Sequence, residues 1–301
     1  MTPNPGASVR QRLLNLARSQ ERPFQELLQY YAMERFLYRL SKSRHAETFI
    51  LKGALLLAAW QAPLSRVTKD IDLLGRTSNE LEHIRALFAQ LCEIECEADG
   101  IEFDSKSVKV AKIKEDADYE GVRVHFGAAL SRAKIPMQID IGFGDVVNPG
   151  VTKISYPTLL EFTPPVLRAY PKETVVAEKL EAVTALEMLN SRMKDFFDLW
   201  ALSRRYGFDG PVLLKAIKAT FDHRGTAIEA RPVGLQDEFA NDRTKSTQWT
   251  AFLRRSRLSS APVQLHETVL AVRDFAGPPL SAASTSSAFN NTWGAGGSWS
   301  I

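Results

Sequence analysis

The sequence predicts an α+β protein: a mixed sheet flanked by helices, followed by a helical domain. Apolar and polar residues alternate at 66–74, 107–114, 122–126 and 137–143, while the stretches between repeat their apolar residues with helical period. Strands and helices in that order favour a small sheet under helical cover. Beyond Pro157 the patterning turns helical and stays so to Phe275. From Gly277 the composition shifts to Pro, Ser, Ala, Gly and Asn, too little apolar surface to order itself. The expected organisation is a sheet domain with N-terminal helices over residues 1–160, a helical domain over 161–276 and a flexible tail over 277–301.

Each element has its local reason. Arg10 to Ser19 and Phe24 to Leu40 read as helices, the second opened by Pro23, which needs no amide donor in a first turn. Leu27, Leu28, Tyr31, Leu37 and Leu40 form its apolar stripe. Leu51 to Trp60 is expected as a short helix, broken at Gln61-Ala62-Pro63. Ser78 is a fair N-cap for a helix from Asn79 to about Glu95. The strands Ser107–Lys114 and Val122–Phe126 flank Asp116 to Gly121, a plausible hairpin, and the strand Met137–Phe143 follows. Later helices are expected over Glu173–Leu189, Arg192–Arg205, Val212–Phe221, Asp237–Phe239, Thr247–Arg255 and Val263–Phe275. Trp293 and Trp299 are unusual residues for a flexible end.

Composition narrows the class. At 301 residues and 45% hydrophobic content the chain can bury a core of two domains. No run approaches the roughly eighteen apolar residues of a membrane span, and Met1 to Gly6 lacks the regions of a signal peptide, so the cytoplasm is the expected location. Cys92 and Cys96 stand four apart with no matching ligand pair, which reads as reduced and structural. The five histidines lack ligand spacing. A net charge of +3 is too mild to announce a nucleic-acid binder. Lys106, Lys109, Lys112 and Lys114, Arg204-Arg205 and Arg254-Arg255-Ser256-Arg257 are either solvated faces or a track for an RNA backbone. There is no G-x-S-x-G elbow and no Walker loop, and the Gly294-Ala295-Gly296-Gly297 run lies in the tail.

The chemistry concentrates elsewhere. In Arg66-Val67-Thr68-Lys69-Asp70-Ile71-Asp72-Leu73-Leu74, strand alternation sends Ile71 and Leu73 to one side and Asp70 and Asp72 to the other. Two carboxylates so close resolve their repulsion by sharing a proton or binding a divalent cation. Met137 to Phe143 alternates in the same way and offers Asp140; if it pairs beside the first strand, three carboxylates converge. Such a set can hold two magnesium ions about 4 Å apart, the arrangement of nucleotidyl transfer. Upstream, Lys52-Gly53-Ala54 is expected at a helix start, where free amides and a glycine suit a phosphate. A lone D-x-D more often marks a strand end with solvated acids; Gly53 and Asp140 tip the balance toward a site. Lys179 falls on the apolar stripe of its helix, either snorkelling or placed as a cation. Asp195 and Asp198 share a face of the next helix, as exposed charges or as site residues.

Together these blocks resemble the nucleotidyltransferase superfamily. More narrowly, Leu51-Lys52-Gly53, Arg66 to Leu73, Ala177-Glu178-Lys179-Leu180 and Arg192-Met193-Lys194-Asp195-Phe196-Phe197-Asp198-Leu199 resemble the AbiEii/AbiGii-type nucleotidyltransferase toxins. One departure is Ala54, where the family usually has a second glycine. The resemblance implies a nucleotidyltransferase-like sheet whose active site is completed by the helical domain. It implies Asp70, Asp72 and Asp140 as metal ligands, with Lys179 and Asp198 as further catalytic residues. It also implies Lys52, Gly53, Ala54, Arg66, Thr68, Lys179, Arg192, Lys194 and Asp195 as nucleotide-binding. Magnesium, a nucleoside triphosphate, transfer RNA modified at its 3′ end and a cognate antitoxin are the implied cofactor, substrate and partners. A small hydroxyl acceptor, such as an aminoglycoside, and a non-catalytic RNA-binding protein of this fold are the alternatives.

Overall fold

The structure is a computed structural model that describes residues 5–60, 68–116, 119–258 and 260–300. Arg66, expected to bind nucleotide, lies outside them, as do residues 117 and 118 at the hairpin tip. The described chain forms two compact units, one of residues 5–60, 68–144 and 152–169, the other of residues 145–151 and 170–300.

The first unit is a seven-stranded mixed sheet with helices. Its elements are α1 (Pro5–Ser19), α2 (Phe24–Lys42), β1 (Phe49–Lys52), α3 (Leu55–Ala59), β2 (Ile71–Gly75), α4 (Leu81–Cys92), β3 (Ile101–Asp116), β4 (Tyr119–Leu130), β5 (Ala133–Phe143), β6 (Thr152–Ser155) and β7 (Val166–Ala169). The strand order is β3-β4-β5-β2-β1-β7-β6. β5 runs parallel to β2 and antiparallel to β4, so the predicted mixed sheet is present. Ile135, Met137, Ile139 and Ile141 of β5 are buried, as are Ile71 and Leu73 of β2, and Val122, Val124 and Phe126 of β4. Phe36 of α2 stacks on Phe88 of α4, meets Phe126 and Phe103, and is fully buried, which stabilises by about 1.5–3 kcal/mol.

Several expectations about this unit change. Leu51 and Lys52 belong to β1, not to a helix, because β1 is claimed by β2 on one side and β7 on the other; Gly53 breaks the strand and α3 begins only at Leu55. β6 and β7, four residues each, escaped the reading because so short a run has no period to detect. β7 carries the sheet unit past residue 160. α4 is shorter than expected, and Ser78 makes a turn, accepting from the Glu80 amide, rather than capping the helix. α2 is buried on nearly every side, and its charges are paired inside. Arg35 binds Asp99 and Glu97, Arg39 binds Asp99, and the Arg35 guanidinium stacks on Tyr38 and Phe162.

The second unit is helical: α5 (Lys172–Leu186), α6 (Met193–Arg205), β8 (Phe208–Asp209), α7 (Gly210–Arg224), α8 (Asp237–Ala240), α9 (Arg243–Ser256), α10 (Leu265–Ser284), β9 (Thr292–Trp293) and β10 (Trp299–Ser300). α7 shows the local logic of a well-marked helix. Asp209 accepts from the Val212 amide at its start, and Gly225 ends it in the left-handed conformation, φ +66°. Residues 145–151 join this unit through side chains: Arg224 pairs with Asp145 as well as Glu181, and Thr174 exchanges hydrogen bonds with the Asn148 backbone. The segment expected as a flexible tail from Gly277 is instead folded. α10 continues to Ser284, and β9 and β10 form a small sheet with β8. Trp293 and Trp299 join Phe275 and Phe289 in one aromatic cluster, and their indole N–H groups donate to the carbonyls of Ser203 and Phe275. Among the described residues no helix is long and apolar enough to cross a membrane.

Candidate active site

The sheet register builds the site. β2 lies directly between β1 and β5, so Asp72 faces Lys52 on one neighbour and Asp140 on the other; β4 then sets Arg123 opposite Asp140. Residues directly opposite in a sheet share a face. Lys52, Asp72, Asp140 and Arg123 therefore form one row across four strands. Asp70, two residues before Asp72, and Gln138, two before Asp140, extend the same face. Ile71, Leu73, Ile139 and Ile141 are buried beneath. Carboxylate oxygens of Asp70, Asp72 and Asp140 all lie within 4.8 Å of one another.

Each acid is held. The Thr68 hydroxyl donates to Asp70, and the Thr68 amide donates to the Tyr30 hydroxyl. Asp72 lies against Gly53, which has φ +71°; a Cβ added there would stand 1.9 Å from Asp72 Oδ2. The glycine is thus required by the carboxylate, a closer constraint than the phosphate approach expected from the sequence. Asp140 receives two parallel bonds of 2.7 Å from Arg123 Nε and Nη2, and Gln138 Nε2 lies 3.3 and 3.2 Å from the same oxygens. The Asp140 hydrogen bond raises the pKa of Arg123 against the opposing effect of burial. Lys52, at the β1 end of this row, and Ala54, just after β1, are both buried. Hard oxygen donors gathered this closely fit a divalent cation.

The helical unit holds a second constellation. Lys179 Nζ lies 2.8 Å from Asp195 Oδ1 and 2.7 Å from Asp198 Oδ2, and both aspartates are buried. α5 and α6 thus bring together the three residues that the sequence placed on separate helices. Arg192 immediately precedes α6, its amide bound to Asn190 Oδ1, and Lys194 is exposed in the first turn.

Arg123 is the site residue that sequence reasoning missed. Its signal was the alternation Val122-Arg123-Val124-His125-Phe126, which puts Arg123 on the polar side of β4; the register that brings it to Asp140 is a tertiary fact. Burial pushes the Cys92 thiol up to about 12, so it has no nucleophilic thiolate to offer, in keeping with a structural role.

A cluster of carboxylates on one face of a mixed sheet, braced by a glycine and bordered by cations, can hold divalent metal of the kind used in nucleotidyl transfer. Residues 35–274 match the family described as nucleotidyl transferase AbiEii toxin, Type IV TA system. The chain belongs to this AbiEii family of nucleotidyltransferases. No curated protein sequence matches it. Two solved structures from Helicobacter pylori resemble it. One, a candidate nucleotidyltransferase, has a TM-score of 0.48 and 17% identity, covering 87% of this chain and 96% of that one. The other, JHP933, has a TM-score of 0.48 and 18% identity, covering 87% and 93%.

Proposed function

We propose that this nucleotidyltransferase is a toxin that uses magnesium to add nucleotides to the 3′ end of transfer RNA, and that a cognate antitoxin restrains it. The observation that carries the reading is the convergence of Asp70, Asp72 and Asp140 within 4.8 Å. Those carboxylates would hold the metal, which when bound neutralises triphosphate charge and activates a hydroxyl. Thr68 orients Asp70, Gly53 leaves room for Asp72, and Arg123 with Gln138 orients Asp140. Lys52, buried directly opposite Asp72, offsets part of the negative charge of the row. Lys179, its ammonium fixed by Asp195 and Asp198, is assigned to nucleotide phosphate, with Arg192 and Lys194 as neighbouring cations. In the transfer, the acceptor hydroxyl oxygen bonds to the α-phosphorus as its proton passes to solvent, the α–β anhydride bond breaks and pyrophosphate leaves.

The test is sequencing of RNA 3′ ends after incubation with each nucleoside triphosphate and magnesium. Extended transfer RNA ends are expected with the native chain and none with Asp72→Asn. Equal extension by that variant would remove the carboxylates from the mechanism; extension of other RNAs, or labelling of an aminoglycoside instead, would replace the acceptor.

A further inference from the structure

Asp140 is heavily engaged. An ionised carboxylate offers about four lone-pair positions. Arg123 and Gln138 make four contacts to its two oxygens, two from each side chain. Coordination of a cation by Asp140 therefore requires one of these donors to withdraw. The guanidinium bonds are the shorter, parallel and charge-assisted ones and the amide contacts are long. A divalent cation, however, repels the charged guanidinium and not the neutral amide, so Arg123 is the donor that a metal drives off. The partners also differ in freedom. The Arg123 side chain is 38% exposed, but that of Asp140 only 10%. The arginine can turn toward water; the aspartate is confined.

The row explains why a cation stands there. Three carboxylates within 4.8 Å repel one another, and a positive group bonded to Asp140 relieves part of that repulsion. A divalent cation does the same electrostatic task from the centre of the cluster. Both therefore compete for the oxygens of one residue.

We propose that Arg123 is a displaceable counter-cation: it holds Asp140 in position within the triad and sets the affinity of the site for divalent metal by competing for the same carboxylate oxygens. Arg123 is on this account a positioning residue. The inference rests on the triad being the metal site.

Manganese(II) binding to the full chain, followed by isothermal titration and by the loss of the free-ion paramagnetic signal, tests it. Arg123→Gln should bind the ion about tenfold more tightly than the native chain, the scale expected when a half-exposed charge-assisted pair no longer competes. Arg123→Lys keeps the charge but cannot fork across both oxygens, so it should show a smaller gain. That variant retains a readout if Arg123→Gln fails to fold. In an Asp140→Asn background the gain from Arg123→Gln should vanish. A gain that persists there would overturn the competition at Asp140, leaving only a general effect of charge. Equal or weaker binding by Arg123→Gln, with binding lost in Asp72→Asn, would leave the metal site standing and make Arg123 a permanent strut. Absence of binding by the native chain and by both Arg123 variants would overturn the metal site and this inference together.

Discussion

Gly53 occupies the position where the smallest possible change should do most harm. The residue has φ +71°, and a methyl group there would stand 1.9 Å from the Asp72 carboxylate. Gly53→Ala should therefore cost about 1 kcal/mol in folding through its left-handed backbone. It should also shift Asp72 and lower nucleotide transfer by about a hundredfold, the usual penalty for a misplacement near 1 Å. Thermal unfolding and single-turnover incorporation, measured on the same preparation, separate the two losses; full activity in a well-folded variant would show that Asp72 tolerates displacement. Ala54 is a different case. It is buried, and its methyl is already accommodated. Arg123 lies between these extremes, since its partner was legible in the sequence but its partnership was not.

α2 was read as a helix with a single apolar stripe, yet Arg35 and Glu34 are 0% and 1% exposed. A helical wheel cannot anticipate this, because the partners Glu97 and Asp99 come from a loop sixty residues away. Burial pushes the Glu34 carboxyl up to about 7, against the opposing effects of the Leu159 amide and the Arg35 guanidinium. Its folded pKa thus lies above the unfolded value of 4.5, so the folded state binds the extra proton. The stability linked to that proton is fully present below about pH 4.5 and is lost as pH rises through about 7, a change on the order of 3 kcal/mol. Glu34→Gln should flatten this dependence and raise the melting temperature at pH 8 relative to the native chain. Denaturant titrations at pH 5 and pH 8 decide it, and an unchanged pH slope would place the titration elsewhere. α5 and α6 offer the opposite lesson. Lys179 stood out because it interrupted an apolar stripe, and Asp195 and Asp198 because they shared a face; the ion pairs between them needed only that the two helices pack.

The mixed sheet, the helical second unit and the three acids were all visible in patterning, since periods of two and 3.6 residues survive in the longer elements. β1, β6 and β7 were not, being four residues each and recognisable only from their pairing. The C-terminal segment misled because its composition is that of a linker, while its order comes from a few aromatic side chains. Trp293 is buried and hydrogen-bonded to Ser203, so Trp293→Ala should destabilise the protein by about 3 kcal/mol, read as a lower denaturant midpoint. A midpoint within error of the native one would return that segment to the status of a loose end. The margins of the seven-stranded sheet have their own consequence. β6 at one margin is only four residues long, but β3 at the other runs for sixteen, with β4 its only strand partner among the described residues. Lys106, Lys109 and Lys112 are exposed along it, and its ladder is irregular between Asp104 and Lys109. A second molecule offering the same strand would bring ammonium against ammonium across a bent border, which disfavours pairing of this margin with its own copy.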